Sequence, residues 1–400
     1  MPLQFELGDE EKQVQAAAKK MLAKFGPRRE ELKRLILKER KFPPELWEAF
    51  ADAGFLGAMV PEEYGGNGAG LLTLALAVEQ FGGEGYGSAL LILTAMDTAC
   101  IVRNGSEAMK KAVLPEVAAG RLKLAFALTE PDAGSNTFRV RTHAKLSADG
   151  SHYLLNGEKT FITGADVADR ILLVVRTTTA EECKAMGMPK AFGLSLMLID
   201  PKSKGVSLTP LPTRGIEGFT QFTVRFDDVE VPAEALVGEK DGGAIALFTS
   251  LNPERILAAA LACGLTGYLL ARSVEYAQDR KVFGDKPIAT HQAISHPLAE
   301  LQIELEASRL LTYRAASAFD RQEEPGVVGF YANCAKYKAA ELAIGAVDRA
   351  IQTHGGSGFS EDVGLIYYWE AVRLLRTAPI TKEMILNYVA EHWMGLPRSY

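Results

Sequence analysis

The chain has 400 residues, 24% charged and 48% hydrophobic, with a formal net charge of −6. That length exceeds one compact core, so two or three domains are expected, with the composition of an ordinary soluble globular protein. The acidic balance, without any basic cluster, argues against nucleic acid as the main partner. Cys100, Cys183, Cys263 and Cys334 stand far apart with no CxxC or zinc spacing, which fits a reducing compartment. The first residues, MPLQFELGDEEK, show no basic region followed by an apolar run, so neither a secretory nor a transit signal is read. No uninterrupted apolar run reaches membrane-spanning length. A cytoplasmic protein without a membrane partner is expected.

Residues 1–122 read as helices. One charged helix runs from Asp9 toward Phe25 and ends at Gly26-Pro27, and a second starts at Pro43-Pro44 and stops at Gly54. PEEYGGNGAG (61–70) is a loop, followed by apolar helical patterns from Leu71 and from Gly87. Ser106 to Ala119 gives one more, interrupted by Pro115. From Lys123 the pattern turns to strands: KLAFALTE, HYLLNGEKTFITG, ILLVVRTTT, GLSLMLIDP, VSLTPL and TQFTVRFDDVEVP. Asp149-Gly150 and Asn156-Gly157 are hairpin-type turns. No helical crossover separates these strands, so an antiparallel sheet or barrel is expected over 123–241. TTTAEECKAMGMPK (177–190) reads as a surface excursion.

Helices return over 242–400. The stretch NPERILAAALACGLTGYLLARSVEYAQDRKVFG (252–284) organises the rest: Asn252 suits a cap, Pro253 a first helical position, and Glu254 the first turn. Ile256 to Leu265 is apolar or small on every side, which implies burial all round. A helix from Glu254 to Arg280 is about 39 Å long at ~1.5 Å per residue, with a carboxylate at one end and an arginine at the other. A long helix follows from His291 to Asp320, another over 329–353 closed by Gly355-Gly356, and a last one near 382–394. The architecture is helical, then β, then a four-helix bundle.

Several chemistries drop out. GEKT at 157–160 lacks the glycine spacing of a phosphate loop. Neither GGNGAG (65–70) nor GGSGFS (355–360) follows a strand and opens a helix, as a dinucleotide fingerprint requires. The histidines show no metal-ligand spacing, so no metal is expected, and no GxSxG elbow occurs.

ALTEPDAGSN (127–136), NGEKTFITGA (156–165), DRKVFG (279–284), HQAIS (291–295) and QTHGGSGF (352–359) stand in the order and spacing of acyl-CoA dehydrogenases. With PEEYGG (61–66), the chain resembles that family over roughly residues 5–395, and its helical–β–helical order is the family's fold. The resemblance implies a noncovalent FAD between the β-domain and the C-terminal helices. It implies that Phe126, Leu128 and Thr129 contact the flavin ring, that Phe161 packs on it, and that Thr163 bonds near its N5, with Gly134 and Ile162 also at the cofactor. Ser135 would lie between flavin phosphate and acyl-CoA, and Arg255 beside the substrate. Arg280, Gln352 and Gly356 match residues that hold the pyrophosphate–adenosine part of a neighbouring subunit's FAD, and Phe283, Gln292 and Gly355 are also implied at the cofactor. The plainer reading of Arg280 is a cation at a helix C-terminus.

The family's catalytic carboxylate usually stands near the C-terminus, and here that position is Pro379. Thr381 and Glu383 still match the flavin-contacting positions that follow. Isovaleryl-CoA and long-chain members instead carry the base just before the arginine of the organising helix, which here is Glu254 before Arg255. The resemblance therefore implies dehydrogenation of an acyl-CoA to a 2-enoyl-CoA with Glu254 as base. It implies electron-transfer flavoprotein as acceptor and a homo-oligomer, a tetramer before a dimer. Residues 86–100 and 249–255 would line the acyl pocket. The rivals are a flavin monooxygenase or oxidase on this fold, and a flavoprotein that mainly binds.

Overall fold

Apolar residues at helical spacing fold the first part of the chain into α1 (Asp9–Ala23), α2 (Arg29–Leu37), α3 (Pro44–Asp52), α4 (Gly70–Gly83), α5 (Ala89–Asn104) and α6 (Glu107–Ala118). The structure is a computed structural model that describes residues 6–216 and 218–398, and the side chain of Thr249 also lies outside that description. The Ser88 and Ser106 hydroxyls accept the Leu91 and Met109 amides at the heads of α5 and α6, satisfying donors a helix start leaves open. Pro115, expected to interrupt, sits inside a continuous α6. The apolar pattern leaves α2 unmarked because RREELKRLIL is mostly charged and buries only Leu32, Lys33 and Ile36.

The middle region is one sheet of β1 (Leu124–Ala127), β2 (His143–Leu146), β3 (His152–Thr163), β4 (Arg170–Arg176), β5 (Leu194–Ile199), β6 (Val206–Leu211), β7 (Gln221–Pro232) and β8 (Leu236–Val237). The strand order is β6-β7-β3-β2-β4-β5-β8, with β1 also beside β4. Pairing is antiparallel except where β4 meets β1 and the end of β2. The β2–β3 hairpin itself serves as the connection that lets β1 and β4 run in parallel, so no helix is needed. Asp149-Gly150 turns that hairpin as expected. Asn156-Gly157 does not turn the chain: it lies inside β3, at a bulge between Leu155 and Gly157 in the pairing with β7. Asn156 instead ties the two strands, accepting the Asp228 amide (3.0 Å) and donating to its carboxylate (2.9 Å). The 177–190 excursion carries α7 (Ala180–Ala185), started by a capping box of Thr179 and Glu182.

Then come α8 (Gly243–Asp279), α9 (Gln292–Asp320), α10 (Pro325–His354), α11 (Leu365–Leu374) and α12 (Lys382–Tyr388). Helix α8 begins well before the expected start. Asn252 is not its cap, Pro253 is an interior residue, and Glu254 is not in its first turn. An interior proline costs about 3 kcal/mol, which burial of Ala244, Ala246 and Leu247 ahead of it offsets. Helix α8 is long and apolar enough to cross a membrane by length and composition alone, although its uninterrupted apolar run, bounded by Arg255 and Arg272, stays short of that span. Its apolar stretch is 83% buried inside the protein, between α4, α5, α9 and α10. Helices α8 and α10 run in the same direction. Lys336 stands near Glu254 at one end, and His354 stacks on Tyr276 (4.2 Å between ring centres) at the other.

Candidate active site

The strand side of the site is fixed by a buried ion pair. Lys159 Nζ, fully buried, donates to Glu130 (2.8 Å) and to the Leu128 carbonyl (2.9 Å). Glu130 in turn accepts the amides of Arg141 (2.7 Å) and Thr142 (3.0 Å). Burial pushes Lys159 down to about 8 against the pull of Glu130, and burial works to raise Glu130, but Lys159 and the amides hold it below the usual range. This pair was not among the expected site residues, yet it sets the loop that carries Leu128 and Thr129. The Thr160 amide donates to the Thr129 carbonyl at 2.8 Å, so Phe126, Leu128 and Thr129 lie beside Phe161, Ile162 and Thr163. Ile162 and Thr163 are buried, and Phe161 is 53% exposed at φ 60°, an aromatic ring held open in a left-handed backbone. Gly134 and Ser135 are exposed in the loop after Glu130. That loop reaches α8 where Phe138 meets Phe248 edge-on at 5.9 Å.

Glu254 follows six residues later on α8. It is half-buried, and burial pushes its carboxyl up to about 7, against the opposing pull of Arg255 and Lys336. Arg255 donates to Asn252 (2.9 Å) and is lowered first by burial, with Glu254 and Tyr388 acting the other way. Lys336, only 2% exposed, donates to the Ile380 carbonyl. Burial and then Arg255 push it down to about 8, opposed by Glu254, Glu341 and Glu383. Lys336 thus joins Glu254 to the Pro379 segment. The Ala378 amide is committed to the Leu374 carbonyl at 2.9 Å, whereas among the described residues no hydrogen bond engages the Ile380 amide. Thr381 caps α12 by accepting the Met384 amide (3.3 Å), and Glu383 is exposed on its first turn. Lys336 carried no motif; its hydrogen-bond partner Ile380 lies 44 residues away in sequence, and Glu254 is farther still.

The remaining expected cofactor residues gather elsewhere. Arg280 ends α8, with its amide on the Tyr276 carbonyl, and is exposed with no ion pair among the described residues. Phe283 (φ 51°) and Gln292 are exposed just beyond it. Gln352, Gly355 (φ 59°) and Gly356 close α10 at the same end, near Tyr276 through His354. One chain therefore brings Thr129, Phe161 and Thr163 together, and Arg280 with Gln352, but it separates Glu254 from Arg280 by about 39 Å of helix.

Three domain models of the acyl-CoA dehydrogenases match: the N-terminal domain over residues 8–121, the middle domain over 125–229 and the C-terminal domain over 241–394. The chain belongs to the acyl-CoA dehydrogenase family. Acyl-CoA dehydrogenase FadE12 of Mycobacterium tuberculosis is 43% identical over 359 residues, 89% of each chain. The 3-(aryl)acrylate reductase of Clostridium sporogenes is 34% identical over 359 residues, 89% of this chain and 91% of its own. The solved glutaryl-coenzyme A dehydrogenase in its glutaryl-CoA complex superposes with a TM-score of 0.88 at 29% identity, covering 99% of this chain and 98% of that one. This acyl-CoA dehydrogenase is thus an oxidoreductase acting on CH–CH bonds, with FAD as cofactor.

The residues suit that cofactor. An open aromatic ring at Phe161, hydroxyls at Thr129, Ser135 and Thr163, and an exposed Arg280 guanidinium with no ion pair among the described residues would suit a ring face, polar contacts and a phosphate. An added Cβ at Gly134, Gly355 or Gly356 would meet nothing within 4 Å, so the backbone there is open to a ligand. Among the described residues no group of three or more metal-ligating side chains forms.

Proposed function

We propose that the enzyme dehydrogenates an acyl-CoA to the 2-enoyl-CoA with Glu254 as its base. The observation that carries this reading is a half-buried glutamate raised to about 7 beside Arg255 and Lys336, in a chain with proline at the alternative base position. The Glu254 carboxylate takes the α-proton as the C2–H bond breaks, and that electron pair forms the C2=C3 bond. FAD, when bound, supplies the acceptor for the β-hydrogen and its electron pair. The Ile380 amide is the donor proposed for the thioester carbonyl, because Pro379 has no N–H and the Ala378 amide is already committed. Lys336 holds the Ile380 carbonyl and thereby aims this segment. Losing one such donor costs ~3 kcal/mol in transition-state stabilisation.

Electrons then pass to electron-transfer flavoprotein, and the enzyme works in the cytoplasm as a homotetramer, each chain divided into domains 1–122, 123–241 and 242–400. Phe126, Leu128, Thr129, Gly134, Ser135, Phe161, Ile162, Thr163, Thr381 and Glu383 serve one flavin. Arg280, Phe283, Gln292, Gln352, Gly355 and Gly356 serve a neighbour's. Anaerobic stopped-flow mixing with a panel of acyl-CoAs is the test. Wild-type flavin should bleach, and Glu254→Gln should retain FAD yet bleach orders of magnitude more slowly. Near-normal bleaching by Glu254→Gln would transfer the role to another base. Fast oxygen consumption by the reduced enzyme would favour an oxidase instead.

A further inference from the structure

Helix α5 crosses α8 along a seam that faces Glu254. The Cys100 side chain of α5 lies within reach of the Ser250 side chain of α8, and Glu254, one turn on along α8, acts electrostatically on Asp97, one turn back on α5. The two helices are therefore antiparallel here, and Asp97 points at the Glu254 side of the seam. Asp97 is 0% exposed, and neither carboxyl oxygen has a hydrogen-bond partner. Such a group is costly: a buried carboxyl is ordinarily paired or bonded. The neighbouring polar groups are taken, since Thr94 and Thr98 bond backbone carbonyls and Ser250 bonds the Ala246 carbonyl.

Between Leu90 and Ile101 every α5 residue is buried except Leu93, which lies one turn from Asp97 on the same face. Across the seam Leu251 and Glu254 are also part-exposed. Leu93, Leu251 and Glu254 are thus among the part-exposed positions along this seam, with Asp97 fully buried between the two helices. We propose that Asp97 is a specificity-determining residue that hydrogen-bonds a hydroxyl or carbonyl oxygen on the acyl chain, so that the enzyme selects oxygen-bearing acyl-CoAs over plain alkyl ones. This rests on Glu254 being the base, which puts the substrate's α-carbon beside the same seam. A cationic substituent fits less well, because Arg255 and Lys336 already flank Glu254. Burial and then the charge of Glu254 hold the Asp97 carboxyl well above the usual range, so it stands ready as a neutral donor.

The experiment compares kcat/KM for pentanoyl-CoA and 5-hydroxypentanoyl-CoA in wild type, Asp97→Asn and Asp97→Leu, together with thermal melts of the three proteins. Wild type should favour the hydroxylated substrate roughly tenfold or more, Asn should keep part of that preference, and Leu should reverse it. Asp97→Leu should also melt higher than wild type, since it removes an unsatisfied buried group without removing any bond. Equal ratios in wild type and Asp97→Leu, or a wild-type preference for the plain chain, would overturn the proposal while leaving Glu254 as base intact. Loss of bleaching in Glu254→Gln alone tests the base itself. No bleaching by any acyl-CoA would sink both.

Discussion

As the proposed base, Glu254 should set the pH behaviour of this enzyme. The base must be ionised, and burial places its carboxyl at about 7, so flavin reduction should rise with pH along an apparent pKa near 7. Lys336 opposes that shift, so Lys336→Met should move the profile to higher pH, and Lys336→Arg should restore it. A lysine that merely packs would leave the profile in place when replaced. Stability carries the opposite sign. The folded protein binds more protons than the unfolded chain between the ordinary carboxylate pKa and 7, so Glu254's contribution is fully present below that window and lost as pH rises through it. Glu254→Gln should therefore trade rate for a higher melting temperature above pH 7. The sequence marked Glu254 through its neighbour Arg255 and the proline at 379. It left Lys336 and Asp97 unmarked, because their meaning depends on partners on other elements. Asp97 did leave a trace: it is the lone carboxylate in the apolar run ALLILTAMDTACIV.

At the scale of elements, alternation and turn residues made most strands readable, and apolar spacing did the same for most helices. The failures have local causes. Asn156-Gly157 has hairpin chemistry, but Asn156 spends it on Asp228 of the neighbouring strand, so β3 runs straight through a bulge. Pro253 looks like a helix start, yet buried residues before it carry α8 back to Gly243. What no local pattern reveals is how closely α8 packs. Gly264 of α8 meets Gly82 of α4, and an added Cβ at 264 would lie 2.1 Å from the Glu79 carbonyl oxygen and 2.9 Å from Gly82 Cα. The obstacle is backbone, which cannot swing aside. Gly264→Ala gains about 1 kcal/mol in helix propensity, whereas overpacking of this severity costs about 3 kcal/mol or more. A net loss of about 2 kcal/mol is expected, readable as a lower midpoint in urea unfolding. The Glu79–Arg309 bond (2.7 Å) and the Glu79–Tyr313 bond (2.6 Å) pin the same crossing to α9, so the strain should spread into the bundle.

The whole molecule divides its proposed cofactor residues into two sets that one chain does not unite. Phe161 and Thr163 lie on β3 with Thr129 in the loop beside them, while Arg280, Phe283 and Gln352 lie at the far ends of α8 and α10. About 39 Å of rigid helix, which cannot bend to bring its ends together, separates Glu254 from Arg280. Arg280 is exposed with no ion pair among the described residues, and Phe283 beside it is fully exposed. A second copy of the chain whose FAD reaches this end would cover both, and would make cofactor content and assembly one equilibrium. Linkage then requires that whatever weakens one weakens the other. Arg280→Ala removes the proposed phosphate partner at an exposed position, so it should lower FAD per chain and shift the oligomer toward smaller species in the same samples. Added FAD should reverse both changes together. Light scattering and flavin absorbance on one chromatographic run read the two quantities side by side. Full FAD content in Arg280→Ala, or a wild-type protein that is a stable flavin-saturated monomer, would show that each chain completes its own site.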